Sequence, residues 1–187
     1  MTIHWETPRL ILRAFEDRDQ HAFAAYRSDP QVAEYQGWEA PYSLEQAGEF
    51  IADMRQVAPG TPGKWLQVAI EIKSSGALAG DVAFHLSEDS RQAMIGCTLA
   101  AASQGQGYAR EAVTRLLDYL FGELKLHRVV ATTDELNAAS VHLLEALGLR
   151  REVHFIENLW FKGRWSSEYY YAILQEEWLS KYTDFPD

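Results

Sequence analysis

The chain has 187 residues, 47% of them hydrophobic and 24% charged, with a formal net charge of −10. That is the profile of one ordinary globular domain, read here as spanning 1–187, able to bury a core without staples. A single cysteine, Cys97, excludes a disulfide framework and zinc sites built on cysteine pairs, and suits a reducing cytoplasm. The acidic balance argues against nucleic acid as a partner and suits cationic or amine-bearing ones. No apolar run approaches the roughly 18 residues of a membrane span, and the start MTIHWETPRLILR lacks the pattern of a signal peptide.

In chain order, Thr7–Arg13 reads as a strand opened by Pro8, and Glu16–Arg27 as a helix that Asp29-Pro30 breaks. Ser43 with Gln46 forms the S-x-x-Q capping box of a second helix to about Gln56, with Leu44, Ala47, Phe50, Ile51 and Met54 inward. Leu66–Ile72, Ala77–Leu86 and Met94–Ala100 read as an antiparallel meander. Tyr108–Leu124 carries a steady i, i+3, i+4 apolar stripe and predicts a long amphipathic helix. Arg128–Thr133 is a short buried strand. Asn137 caps a helix that Gly148 stops, and Val153–Phe161 with Glu168–Leu174 make a hairpin around Lys162-Gly163. The order implies an α/β (α+β) layer of helices on a central sheet.

The stretch most informative about chemistry is CTLAAASQGQGYARE, residues 97–111. A strand ends, Gln104-Gly105-Gln106-Gly107-Tyr108-Ala109 follows, and the long helix begins. Glycines at such a junction admit a tight turn and close ligand approach, and the helix start offers free N–H groups that bind phosphate. A plain glycine turn is the alternative. The dinucleotide fingerprint fails because Arg110 stands where its third glycine belongs, Gly63-Lys64 is followed by Trp65 and lacks the earlier glycine of a P-loop, and no G-x-S-x-G elbow occurs.

The Gln104–Ala109 string resembles the Q/R-x-x-G-x-G/A motif of the GNAT N-acetyltransferases. Asn137-Ala138-Ala139-Ser140 followed by Leu147-Gly148-Leu149-Arg150 is similar to the N-x-x-S … L-G-F-R block of that family. The segments TPRLILRAFEDRD, DPQVAEY and FKGRWSSEYYYAILQEEW resemble the RimJ/RimL branch, which acts on ribosomal-protein N-termini. The resemblance covers nearly the whole chain and implies a mixed, mostly antiparallel sheet of six or seven strands with two splayed parallel ones. It implies acetyl-CoA as donor and no metal. The pantetheine arm would pair with Cys97, Thr98 and Leu99, the pyrophosphate would sit on N–H groups from Gln104 to Arg110 (including Gly105, Gln106, Gly107, Tyr108 and Ala109), and Asn137 and Ser140 would reach the thiol end. An amine, from a peptide or a small molecule, would attack the thioester directly, with an N–H of Cys97 or Thr98 facing the oxyanion.

The chain departs from the family where a tyrosine often protonates the leaving thiolate: Leu144 stands there, with Ser140 the nearest substitute. Met94 replaces a frequent acidic residue before Ile95-Gly96. Both departures keep open a rival reading, an acyl-CoA-binding sensor with little turnover. The remaining base candidates are His85, Glu135 and, behind them, His154. Tyr35, Trp38, Glu39 and Trp160 are the candidate acceptor contacts. Core packing or a homodimer contact accounts equally well for most of the aromatic residues.

Overall fold

The strand expected at Thr7–Arg13 begins only at Leu10, and Pro8 lies in the turn between it and an earlier strand outside that expectation. The computed structural model describes residues 3–180, so the expected domain's ends, 1–2 and 181–187, lie outside the described residues. β1 (His4–Glu6) and β2 (Leu10–Arg13) pair antiparallel across a turn in which the Leu10 N–H donates to Thr7 Oγ1 at 3.0 Å.

The expected helix at 16–27 begins as a 3₁₀ turn, Asp17–Asp19, before α1 (Gln20–Arg27). The Asp19 carboxylate tightens that turn by accepting from Arg13 at 2.7 and 2.9 Å and from the Glu16 N–H at 2.8 Å. The Asp29-Pro30 break also starts a helix, α2 (Pro30–Ala33), because Asp29 accepts from the Gln31 N–H and proline fits a first helical position. α3 (Leu44–Gln56) has the expected capping box, but only Ala47 and Ile51 are fully buried, and Leu44 is 44% exposed.

β3 (Trp65–Ile72), β4 (Leu78–Leu86) and β5 (Gln92–Leu99) form the meander. α4 (Tyr108–Asp118) widens at Tyr119–Glu123 into a π turn, with the Leu124 N–H donating to Tyr119 O at 3.0 Å. The expected stripe is buried through it: Leu116, Leu117, Leu120 and Phe121 are core. β6 (Arg128–Asp134), α5 (Ala138–Ala146), β7 (Arg150–Phe161), β8 (Arg164–Leu174) and α6 (Gln175–Leu179) follow. Lys162 and Gly163 join β7 to β8 at φ +47° and +81°, the left-handed pair a tight hairpin needs.

The sheet has eight strands in the order β1-β2-β3-β4-β5-β6-β8-β7, one more than the upper expectation because of β1. Every neighbouring pair is antiparallel except β5 and β6. Strand alternation sorts the layers. Val82, Phe84, Leu86, Ala93 and Ile95 pack with α4 and with Leu144 and Leu147 near α5; Ala69 packs on the other face with Phe15, Phe23, Tyr26 and Ile51 of the α1–α3 layer. Placing α4 over the β5–β6 crossover is what the handedness of parallel connections demands. No helix among the described residues is long and apolar enough to cross a membrane.

Two buried polar groups pin the α1 layer to the sheet. Tyr26 Oη donates to Asp81 Oδ2 at 2.5 Å. The Arg27 guanidinium lies 4.0 Å from the Trp38 ring centre and 4.2 Å from that of Phe23, and donates to Gln67 Oε1 at 2.9 Å.

Candidate active site

The parallel pairing of β5 with β6 covers only Gln92↔Arg128, Ala93↔Val129 and Met94↔Val130. Beyond it β5 stays zipped to β4 as far as Leu99, and β6 to β8 as far as Asp134. Each strand keeps its outer partner and loses its inner one, so the sheet opens as a wedge. A cavity of about 210 Å³ fills the wedge, walled by Gly96 and Cys97 on one strand and Thr132 and Asp134 on the other. A second cavity, about 460 Å³, continues along Thr98 and Leu99 to Gln104 and Gly105. Tyr35, Gln36, Cys97, Asn137 and Ser140 line both, which makes them one groove.

The far end of the groove meets the glycine loop. Gly105 and Gly107 take φ +71° and +80°, the left-handed region where side chains are strained. A Cβ on Gly105 would meet nothing within 4 Å, and one on Gly107 would lie 3.3 Å from Arg9 Nη2. Among the described residues no protein acceptor faces the N–H groups from Gly105 to Arg110. These are orphan donors at a positive helix end, and they fit a pyrophosphate. The glutamine side chains serve the loop's shape: Gln104 Nε2 donates to Leu99 O at 3.1 Å and Gln106 Nε2 to Ala102 O at 2.8 Å. From outside, Glu111 accepts from Thr7 Oγ1, the Arg9 N–H and Arg9 Nε, while Arg9 donates to Gln106 O and covers the Tyr108 ring. Burial acts to raise the Glu111 carboxyl, but those hydrogen bonds prevail and hold it below the usual range.

At the middle of the groove, Asn137 Oδ1 accepts from the Ser140 N–H at 3.1 Å as the α5 cap. Its NH₂ group and the Ser140 hydroxyl remain for a ligand. Leu144 closes the wall behind them. Burial, and then the charge of Asp81, pushes the Cys97 thiol up, so Cys97 is not a thiolate nucleophile.

The wedge end has two walls joined by one cation. Tyr35 and Gln36 come from the α2–α3 loop, Leu159 and Phe161 from the β7–β8 hairpin. Lys162 Nζ at the hairpin tip donates to Ala33 O and Trp38 O, both at 2.7 Å. Asp134 and Glu168 face each other across β6 and β8 and supply the carboxylates lining this cavity among the described residues.

Several expected residues stand elsewhere. His85 lies opposite Met94 with its ring 5.4 Å from Trp65 and lines neither cavity. Glu135 is outside the lining and accepts from, or is bridged by, His154 Nε2 at 2.8 Å. Trp38 spends its indole N–H on Arg27 O at 3.0 Å and its ring on the guanidinium. Glu39 is exposed, 4.0 Å from Lys162. Trp160 is 60% exposed because strand alternation turns it away from the face that Leu159 and Phe161 present. Asp134 and Glu168 were not singled out from the sequence. Their signal is the β6–β8 register, which no local pattern encodes.

The comparisons agree with this geometry. Residues 9–150 match the family model described as an acetyltransferase (GNAT) domain. The uncharacterized N-acetyltransferase YnaD of Bacillus subtilis is 33% identical over 176 residues, covering 94% of this chain and 99% of that protein. The spermidine N-acetyltransferase of Vibrio cholerae, solved in complex with CoA and spermine, superposes with TM-score 0.79 at 27% identity, covering 92% and 99% of the two chains. Mycobacterium smegmatis RimJ, in complex with CoA-disulfide, gives TM-score 0.78 at 26% identity over 90% and 83%. The family draws its acetyl group from acetyl-CoA. A wedge between parallel strands, an orphan-donor loop at one end and this match over most of the chain carry one conclusion: the chain belongs to the GNAT family and is an N-acetyltransferase.

Proposed function

We propose that the protein, a single acetyltransferase domain working in the cytoplasm, moves the acetyl group of acetyl-CoA directly to a primary amine. The observation that carries this reading is the continuous groove from the orphan donors of Gly105–Arg110 to the wedge at Gly96 and Cys97. The loop holds the pyrophosphate, and backbone groups of Cys97, Thr98 and Leu99 hold the pantetheine arm. An N–H of Cys97 or Thr98 faces the oxyanion, where a preset donor lowers the barrier. Asn137 and Ser140 receive the departing sulfur. The amine enters between Tyr35 and the β7–β8 hairpin, where acidic side chains favour an ammonium over a neutral or anionic acceptor. Both a protein N-terminus and a small amine satisfy that requirement, and spermidine and RimJ-type peptides are the first two to try.

A second reading, an acyl-CoA-binding module with little turnover, is favoured by Leu144, which puts an apolar wall where a proton donor would serve. The two separate in one pair of measurements. Calorimetric titration with acetyl-CoA, with NADH and ATP as controls, should show binding of acetyl-CoA alone. Thiol release in the presence of primary amines then supports the transferase, whereas tight binding without release across many amines supports the module. No binding of acetyl-CoA overturns both.

A further inference from the structure

We infer that Glu168 is the group that takes the proton from the attacking amine, with the Arg164-paired Asp134 beside it in the same wall. The inference rests on the transferase reading and deepens it.

An amine reaches the wedge as an ammonium and must lose a proton before it attacks. Among the described residues lining the wedge there is no histidine or lysine. Cys97 is held as a thiol by burial. Burial, and then the charge of Glu34, likewise raises the Tyr35 hydroxyl, which stays protonated. Two carboxylates remain, directly opposed in the β6–β8 register, and their surroundings differ. Both oxygens of Asp134 are taken: Oδ2 accepts from Arg164 Nη2 at 2.8 Å and Ser166 Oγ at 2.5 Å, and Oδ1 from the Leu136 N–H at 2.8 Å. Its partner Arg164 is a permanent cation, and the lone pairs of Asp134 that these three donors use are occupied. Glu168 accepts one neutral hydrogen bond, from Asn158 Nδ2 to Oε2 at 2.6 Å. Its Oε1 has no protein partner among the described residues, and no cation is paired with it. Of the two, Glu168 has an oxygen free to accept a proton.

The step balances as follows. A proton passes from the ammonium nitrogen to Glu168 Oε1, directly or through one water. The freed lone pair forms the C–N bond at the thioester carbonyl carbon. The C–S bond breaks with its electron pair going to sulfur, and a second nitrogen proton ends on that sulfur as CoASH. Glu168 then returns its proton to water. The expected residues His85 and Glu135 lie outside the wedge and cannot receive the first proton directly.

The test uses the full-length protein, Glu168→Gln and Glu168→Asp, with spermidine and an alanine-terminated peptide as amine probes. Glu168→Gln keeps an oxygen for Asn158 and should bind acetyl-CoA with unchanged affinity. Its kcat should fall about a hundredfold, the scale of losing a general base, and the acidic limb of its kcat/KM–pH profile should vanish. Glu168→Asp should recover part of the rate and restore the limb. A Glu168→Gln protein with wild-type rate, or with a reduced rate but an intact acidic limb, overturns the assignment and leaves the transferase reading standing. A wild-type protein that binds acetyl-CoA yet releases no thiol with any primary amine overturns the transferase reading itself, and the assignment with it.

Discussion

Gly107 stands at φ +80° with Arg9 3.3 Å from where a Cβ would project. A side chain there meets both the backbone strain of the left-handed region, roughly 1–2 kcal/mol, and the space a pyrophosphate would use. Gly107→Trp should therefore fold, melt a few degrees lower and lose acetyl-CoA binding by calorimetry; retained affinity would contradict the cradle. Asp81 offers a measurement of stability. Burial raises its carboxyl, against the opposing pull of Arg27 and the Tyr26 hydrogen bond. A carboxyl raised on folding holds its proton more tightly in the native state, so it destabilises the fold as pH rises from the usual carboxylate range toward neutrality. Asp81→Asn keeps an acceptor for Tyr26 and cannot ionise. Its melting temperature relative to wild type should rise by a few degrees between about pH 4 and pH 7, since about 1 kcal/mol shifts a chain of this size by roughly 2–4 °C. A difference that is flat with pH would mean that the carboxyl titrates normally.

At the scale of elements, the β7–β8 hairpin does the most to wall the wedge, where the acceptor is proposed to enter. Its tight turn places Lys162 where one ammonium joins the hairpin tip to the α2–α3 loop through Ala33 O and Trp38 O. Lys162→Met keeps the stem and removes the donors. It should raise the acceptor KM several-fold while leaving acetyl-CoA affinity alone, because the pyrophosphate end is built from α4 and the β1–β2 turn instead. An equal loss of affinity for both substrates would place the effect on the whole fold. Local patterns made much of this scale readable. The Ser43–Gln46 box, the Asn137 cap and the Gly148 stop at φ +85° are where the spacing puts them. The misreadings have local causes too: Pro8 interrupts a strand pair, and Arg13 draws Asp19 into a 3₁₀ turn. Trp160 was misplaced by counting aromatics without applying the strand period.

For the whole molecule, the sheet ends in an edge that nothing covers among the described residues. β7 is exposed nearly from end to end, and six of the ten exposed large apolar side chains described belong to its hairpin, among them Phe155, Ile156 and Trp160. An apolar edge of this length is a pairing surface unless something covers it, and a second copy of the chain is the occupant we expect. Sedimentation should show a dimer, and Trp160→Glu should shift it to monomer with acetyl-CoA affinity retained, because Trp160 faces away from the groove. A monomeric wild type at assay and at high concentration would dismiss the dimer.

The sequence by itself determined the layered α/β class, the order of the elements from β2 to β8 save α2, and the glycine loop with its helix start. All of these depend on residues close together in the chain, where turn chemistry and periodicity act. Tertiary structure alone decided the wedge. Asp134 and Glu168 meet because β6 pairs with β8 across the 29 intervening residues 135–163, and the wedge exists because β5 and β6 each keep the outer neighbour and release the inner one. No local pattern carries a register between strands so far apart, so the residues of the loop were legible and those of the wedge were not.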